Sequence, residues 1–375
     1  MKKLLKKEGV QTLLASLICI LIGILVGYIV LLCIKPAGAG EAIKEVLKNF
    51  MHPKRLNLKL KSLGNTVTKT MPLILCSLSI LFAYKVGLFN IGAAGQYVAG
   101  ACASLYAGLA WHWGWVACLL FAIAAGALLG AIVGFLKSYC NVNEVISGIM
   151  LNWIALYGTN TLLSSVKEEA SPYTRYLEEV NPGALLPKLG KINEAWFGKN
   201  QYVTVAVPLT LLITVIILVV LDKTRFGYEL KATGNNKFAA KYCGMAEKRN
   251  IILTLVIAGG LAGLGASFLF QTGYMRWECT QSSVPGMGFN GIAAAFLGGL
   301  NPIGSIFSSF FIQHSTDGGS NVDMNLYCAQ ISDLISSMII YLCGFVLFIK
   351  LTIKNVLSKS DAKAAAAASA KGGDR

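Results

Sequence analysis

The feature that most constrains this chain is a series of long apolar runs without a charged residue. Leu13 to Ile34 is 22 residues without a charge, and similar runs occur at 204–221, 251–271 and 334–349. About 20 predominantly apolar residues are enough for a helix to cross the hydrocarbon core of a bilayer. Only 14% of the residues are charged, whereas ordinary soluble domains have about 25%. The sequence therefore predicts an integral membrane protein with many helices.

The apolar runs predict an all-α, polytopic membrane fold of about ten transmembrane or half-membrane helices. The expected full spans lie near 13–34, 66–86, 92–111, 115–136, 145–163, 203–221, 251–270 and 331–349. Two shorter apolar segments, 289–300 and 302–314, are separated by Asn301-Pro302. We interpret residues 1–357 as one transmembrane domain and the Ala- and Lys-rich segment 358–375 as a low-complexity cytoplasmic tail.

The basic residues predict how these helices are oriented. With a cytoplasmic N-terminus, 18 Lys and Arg residues lie inside and 13 lie outside, which is the direction of the positive-inside rule. The inner segments are then 137–144, 222–250 and the tail, and the outer segments are 35–65, 164–202, 271–286 and 315–330. One outer stretch, EAIKEVLKNFM, is amphipathic and is predicted to lie on the membrane surface through Ile43, Val46, Leu47, Phe50 and Met51.

GLFNIGAAGQ, residues 87–96, interrupts the apolar pattern with three glycines, an asparagine and a glutamine. Irregular backbone has no water to bond in lipid, so it is tolerated only beside protein or a water-filled cavity. A second motif, GFNGIAA at 288–294, repeats Phe-Asn followed by small residues. Transporters often place broken helices at matching positions of two structural repeats. The pattern therefore predicts two glycine-rich breaks in pseudo-repeated halves.

Two interpretations of these motifs follow from the residues. In the first, the motifs line a polar path near the middle of the membrane, through Phe89, Asn90, Gly92, Gln96, Phe289 and Asn290. In the second, the glycines allow close helix packing and the asparagines cap half-helices. Packing explains the glycines better, and the asparagines fit either interpretation.

Groups that could drive chemistry are nearly absent from the predicted spans. Glu144, Asp317, Asp323 and Asp333 fall at span edges, and the chain contains neither a P-loop nor a CxxC pair. Coupled carriers usually place carboxylates or histidines inside the membrane, and the P-loop is a common ATP-binding motif. A self-sufficient secondary carrier, an enzyme, a metal site and a cofactor site are therefore disfavoured. If the chain pumps a solute, the energy has to enter through another subunit.

The large basic loop at 222–250 is predicted to contain a short helix from about Lys237 to Cys243. Asn235 or Asn236 would cap its start, and Gly244 would end it. Exposed side chains on such a helix fit a groove in a partner protein, here through Phe238, Ala239 and Tyr242. The alternative is an ordinary basic surface loop.

Smaller predictions concern individual residues. Asn143 and Glu144 are expected to begin a helix, and Asn152, deeper in the membrane, to form hydrogen bonds between helices. Cys279 and Cys328 both fall in outer segments, where free thiols are favoured over a disulfide.

Four segments occur in the order that characterises a known family: GLFNIGAAGQ, NEVISGIMLNWIALY, TRFGYELKATGNNKFAAKYCGM and GFNGIAAAFLGGLNPIG. With their spacing they cover most of the chain from Thr66 to Ile349. The chain resembles the permeases of bacterial ABC importers for nucleosides and simple sugars, a family that includes branched-chain amino acid permeases. The resemblance implies a multi-pass permease of the bacterial plasma membrane, with both termini in the cytoplasm and no catalytic activity of its own.

The resemblance also implies partners and coupling residues. The expected partners are a cytoplasmic ATPase with two nucleotide-binding halves, a second homologous permease, a lipid-anchored substrate-binding protein outside, and membrane lipid, but not nucleic acid. The family's docking motif, G-N-x-x-x-A-A-x-x-x-G, maps onto Gly234, Asn235, Ala239, Ala240 and Gly244. Where the family often has Glu and Asp, this chain has Ala94 and Asn290. A neutral path suits an uncharged solute, with a nucleoside expected first and a simple sugar or branched-chain amino acid as alternatives.

Overall fold

The computed structural model describes residues 8–53 and 55–319, together with 321, 322, 327 and most of 334–355. Within 334–355 it does not describe 335, 336, 339, 340, 343 and 347. The tail at 358–375, Cys328 and part of the predicted span 331–349 therefore lie outside the described residues.

The described residues are mainly α-helical, with isolated β-bridges beside the helices. The helices are α1 (Glu8–Ile34), α2 (Ala39–Lys48), α3 (Leu56–Tyr84), α4 (Ala93–Leu109), α5 (Trp115–Tyr139), α6 (Glu144–Leu163), α7 (Leu177–Val180), α8 (Gly190–Phe197), α9 (Ala206–Lys223), α10 (Arg225–Asn235), α11 (Lys237–Tyr242), α12 (Glu247–Phe270), α13 (Met287–Leu297) and α14 (Pro302–Gly319). In the described part of the chain, five helices are long and apolar enough to cross a membrane: α1, α3, α5, α9 and α12. The prediction of an all-α, polytopic membrane protein is confirmed.

The loops gather on two opposite faces of the helix bundle. On one, which we call the 222–250 face, residues 137–144 meet the large basic loop. Ser138 Oγ donates a hydrogen bond to the carbonyl oxygen of Lys248 at 3.3 Å. Lys137 and Glu144 form an ion pair of 2.6 Å on the same face. The prediction that 137–144 and 222–250 share one side of the membrane is therefore confirmed.

The opposite face, which we call the 164–202 face, carries the other long loops. The backbone N–H of Thr174 donates to the carbonyl oxygen of Trp277 at 2.9 Å. Asn200 Nδ2 donates to the carbonyl oxygen of Lys61 at 2.7 Å. These bonds join 164–202 to both 271–286 and 35–65, as the sequence predicts.

The closest helix packing in the bundle is between α5 and α12, along a seam of small residues. A side chain at Gly130 would collide with the carbonyl oxygen of Leu255, and one at Gly126 would collide with that of Gly259. Small residues let membrane helices approach closely where no hydrophobic effect drives them together. The seam therefore depends on glycine at these positions.

Helix α2 packs on another helix of the same chain. Its buried face is formed by Ala39, Ala42 and Val46, and the Val46 backbone packs against Gly318 of α14. Leu47 and Met51, expected on the apolar face, are largely exposed. One face of α2 thus covers α14, and the prediction that the helix lies on the membrane surface stays a prediction.

Helices α13 and α14 form the predicted short pair. The turn between them places Gly298 against Gly304, and the Oδ1 of Asn301 accepts from the backbone N–H of Ile303 at 2.9 Å. With 11 residues, α13 is only about 16 Å long, too short to cross a bilayer alone.

Candidate functional site

The break that the sequence predicts at GLFNIGAAGQ is present. Helix α3 ends at Tyr84 and α4 begins at Ala93. Between them Gly87 adopts a left-handed conformation, with φ of +72°, which favours glycine. The break thus comes from the local sequence.

Two of the predicted path residues are buried in the break and bond to each other. Asn90 Nδ2 donates to Gln96 Oε1 at 2.9 Å and to Ser79 Oγ at 3.0 Å. The exposed fraction is 3% for Asn90 and 1% for Gln96. Within the described residues, Gln96 Nε2 has no hydrogen-bonding partner. Phe89 is half-buried beside this polar cluster.

Asn152 of α6 holds the start of α4. Its Oδ1 accepts from the backbone N–H of Gly95 at 2.7 Å, and its Nδ2 donates to the carbonyl oxygen of Ile91 at 3.1 Å. The expected hydrogen bonding of Asn152 between helices is confirmed. Gly92 is buried against Gly148 of α6. Sequence reasoning missed this contact because it is visible only once the helices are packed.

The start of α6 also matches its sequence prediction. Asn143 Oδ1 accepts from the backbone N–H of Val145 at 2.8 Å, so Asn143 caps the helix. Glu144 follows as the first helical residue, where the helix dipole favours a negative charge.

Helix α6 measures how deep the break lies. Its 20 residues extend about 30 Å, close to the thickness of a bilayer core. Asn152 lies eight residues after Glu144, about 12 Å from that end of the helix. Because Asn152 contacts Gly95, helix α4 begins near the middle of the length of α6.

The second motif meets the first. Gly288, in the first turn of α13, packs against the backbone of Ala94 in the first turn of α4. The copies are not equivalent, because Asn90 precedes its helix whereas Asn290 lies inside α13. Phe289 is 39% exposed, and the half-buried side chain of Asn290 has no hydrogen-bonding partner within the described residues.

The short helix predicted in the 222–250 loop is α11. Asn236 caps it, because its Oδ1 accepts from the backbone N–H groups of Phe238 and Ala239 at 3.0 and 3.1 Å. Asn235, the other candidate cap, is instead the last residue of α10. After α11, Gly244 has a φ of +80°.

The exposed surface of α11 carries two large aromatic side chains and an alanine, together with two lysines. The exposed fraction is 64% for Phe238 and 92% for Tyr242, and Ala239 is also exposed. Ala240, by contrast, is buried against the rest of the chain. The helix therefore exposes Phe238, Ala239 and Tyr242, while Ala240, which the docking motif also includes, faces the rest of the chain.

The 222–250 loop touches the break directly. A side chain at Gly234 would lie 2.7 Å from the Val86 carbonyl carbon, and one at Gly87 would lie 3.1 Å from the Gly234 oxygen. A cavity of about 490 Å³ opens beside this contact, between the break and α11, and Lys237 and Lys248 are among its lining residues. The end of α10, just before α11, therefore lies against the break.

Sequence reasoning missed an ion pair near the 164–202 face. Lys69 Nζ of α3 lies 2.9 Å from Asp317 Oδ1 of α14, and Gln313 Nε2 donates to the same oxygen at 3.0 Å. The Lys69 ammonium also lies 5.2 Å from the centre of the Tyr274 ring. The signal was a lysine inside a predicted span, because a membrane-embedded charge usually has a partner.

Comparison with known proteins agrees with this architecture. Residues 62–344 match the family described as the branched-chain amino acid transport system, permease component. The nucleoside ABC transporter permease protein NupB of Lactococcus lactis is 31% identical over 84% of this chain and 86% of its own. The guanosine ABC transporter permease protein NupP of Bacillus subtilis is 32% identical over 74% and 79%. The glucose ABC transporter permease protein TsgB13 of Haloferax volcanii is 28% identical over 70% of each chain. No solved structure matches the chain significantly.

A bundle of helices long and apolar enough to span a membrane defines a multi-pass membrane protein. The chain belongs to the permease family named above. It is a permease subunit of an ABC transporter and not an enzyme, since ATP hydrolysis in such systems lies in a separate subunit.

Proposed function

We propose that this permease forms the translocation path of an importer for uncharged nucleosides and that α11 docks into its ATPase. The observation that carries the proposal is the construction of α11. It presents Phe238, Ala239 and Tyr242 outward, while Gly234, just before it, packs on the break at Gly87. A helix seated in a partner's groove through such side chains would transmit the partner's movement to the membrane. The residues that couple the permease to the ATPase are Gly234, Asn235, Phe238, Ala239, Ala240, Tyr242 and Gly244.

The proposed path is neutral and lies where the two motifs meet. Its residues are Phe89, Asn90, Gly92, Gln96, Phe289 and Asn290. Amides supply donors and acceptors at a lower desolvation cost than carboxylates, which suits a solute with hydroxyl groups. The relatives named for nucleosides and guanosine support a nucleoside, and the relative named for glucose supports a sugar as the second candidate.

The remaining parts of the proposal concern assembly. The 222–250 face and both termini are cytoplasmic, with residues 1–357 as the permease domain and 358–375 as a tail. The partners are an ATPase with two nucleotide-binding halves, a second homologous permease and a substrate-binding lipoprotein that docks on the 164–202 face. The excess of Lys and Arg on the 222–250 side supports this orientation.

The test is uptake of a labelled nucleoside by the complete transporter, with and without a change in α11. Ala239→Arg places a long charged side chain on the docking surface, so uptake and substrate-stimulated ATP hydrolysis should be lost while the protein stays in the membrane. Ala170→Arg, the same change at an exposed position of the 164–202 face, should leave both activities unchanged.

Two outcomes would contradict the proposal separately. Normal coupled hydrolysis in the Ala239→Arg transporter would show that α11 does not dock. Uptake of the labelled nucleoside can also be measured with an excess of a competing solute. If excess sugar or branched-chain amino acid suppresses this uptake and excess unlabelled nucleoside does not, a nucleoside is not the transported solute. The first result leaves the solute assignment intact, and the second leaves the docking assignment intact.

A further inference from the structure

We propose that residues 282–290 form a re-entrant segment that lines the water-filled part of the translocation path. The segment connects the 164–202 face to the start of α13. Its depth can be measured along α6. At the end of the segment nearer the 164–202 face, Asn160 Nδ2 donates to the carbonyl oxygen of Gln281 at 2.9 Å.

At its lower end, the segment reaches the middle of the membrane. Gly288 packs against Ala94, and the next residue of that helix, Gly95, is bonded to Asn152. Asn160 and Asn152 are eight residues apart on one helix, which corresponds to about 12 Å. The chain therefore descends about 12 Å into the membrane before α13 begins.

Most of this descent is not helical. Helix α13 begins only at Met287, and the preceding residues Ser282, Ser283 and Gly286 are exposed on the surface of the chain. The Gly286 carbonyl oxygen accepts from the backbone N–H of Asn290 at 2.8 Å, but within the described residues the backbone groups of Ser282 and Ser283 form no hydrogen bond, and lipid cannot supply one. Irregular backbone at this depth is stable only against protein or in a water-filled cavity.

The exposed residues favour water over lipid or another apolar surface. Ser282, Ser283 and Gly286 are exposed, the amide of Asn290 has no hydrogen-bonding partner within the described residues, and Phe289 is the one large apolar side chain exposed in the segment. On α5, by contrast, exposed residues at membrane depth are large and apolar, with Leu120 at 59% and Leu128 at 63%. The two surfaces face different surroundings.

The chemistry of the segment also indicates its ligand class, and this step rests on the proposed function. Hydroxyl and amide groups donate and accept hydrogen bonds without charge. They suit the hydroxyls of an uncharged solute such as a nucleoside, which would exchange them for water on passage. Ser282 and Ser283 thereby join the path as contacts between its outer opening and the junction of the two motifs.

Cysteine accessibility tests the proposal in the assembled transporter. The ten native cysteines are replaced, and Ser282→Cys, Ser283→Cys and Leu128→Cys are made singly in that background. A thiol must ionise to react with a hydrophilic maleimide, so the serine positions should react about tenfold faster than the lipid-facing control, or more. Having two serine positions covers a variant that fails to assemble.

The outcomes decide the path and the ligand separately. Reaction at neither serine position in assembled transporter would overturn the re-entrant path, because the segment would then be covered by protein. Labelling that nucleoside slows supports the contact with solute. If a saturating nucleoside does not slow labelling at these positions, the ligand assignment is overturned. This holds even where the rate of labelling without nucleoside and the uptake of nucleoside are both normal.

Discussion

At the scale of single residues, Asn152 shows how one buried amide fixes the position of a half-helix. It bonds to a donor at Gly95 and an acceptor at Ile91, on either side of the start of α4. Only 2% of its surface is exposed, so water cannot replace either bond. A side chain of the same size without polar atoms would leave both backbone groups without this partner.

The Asn152→Leu permease should therefore be less stable by about 1–3 kcal/mol, the usual cost of leaving a buried polar group unsatisfied. We expect a lower thermal denaturation midpoint of the purified protein in detergent. Thr161→Val, on the exposed side of the same helix, removes a hydroxyl that bonds only within the helix and should change the midpoint little. Equal midpoints for Asn152→Leu and the unaltered protein would contradict this role.

Residues that signal through their immediate neighbours were predictable, and those that depend on distant partners were only partly so. Asn143 could be recognised as a cap because the helix that it caps follows directly in the sequence. Lys69 stood out inside a span, but Asp317, 248 residues away, could not be paired with it before α3 and α14 were packed.

At the scale of elements, the contact between the 222–250 loop and the break joins the two parts of the proposed mechanism. Gly234 is the next-to-last residue of α10, and Gly87 lies in the turn after α3. Their backbones touch because neither carries a side chain. A docking movement of α11 would pass through this contact to Asn90 and the start of α4.

Replacing Gly234 by alanine should uncouple the 222–250 loop from the break. A Cβ there would lie 2.7 Å from Val86 and 2.8 Å from the Lys85 oxygen, so the loop and the break must move apart. We expect nucleoside uptake to fall about tenfold, or roughly 1.4 kcal/mol, while ATPase binding to the membrane is retained. Gly158→Ala is the matched control, since a Cβ there meets nothing within 4 Å. Unchanged uptake in the Gly234→Ala transporter would rule out transmission through this contact.

Elements with local signals were predicted well, whereas their surroundings were not. The break and α11 were foreseen because glycines and a capping asparagine mark them within a few residues. The amphipathic pattern of α2 was recognised, but a pattern alone does not distinguish a membrane surface from α14. The depth of 282–290 likewise depends on contacts with α4 and α6, which no local stretch of sequence contains.

At the scale of the whole molecule, the reactivity of one cysteine on each loop face can report how the permease is oriented in the membrane. Cys243 is exposed beside α11 on the 222–250 face, and Cys279 is a partly exposed free thiol on the 164–202 face. With the proposed orientation, the first faces the cytoplasm and the second the outside. Cys328, the residue that could form a disulfide with Cys279, lies outside the described residues. Each cysteine therefore has to be labelled in a permease that retains no other cysteine.

Permeases that retain only Cys243 or only Cys279 should therefore react from opposite sides with a membrane-impermeant maleimide. In intact cells we expect Cys279 to be labelled, and Cys243 to be labelled only after the membrane is permeabilised. Burial raises the pKa of the Cys279 thiol, and the nearby Lys167 offsets this in part. Because the thiolate is the reactive form, a raised pKa leaves less of it at neutral pH, so Cys279 should react slowly there and faster as the pH rises. The permeabilised Cys243 sample shows that the reagent is active, so labelling of Cys243 in intact cells, with none at Cys279 even at high pH, would reverse the orientation. The ATPase would then have to dock elsewhere.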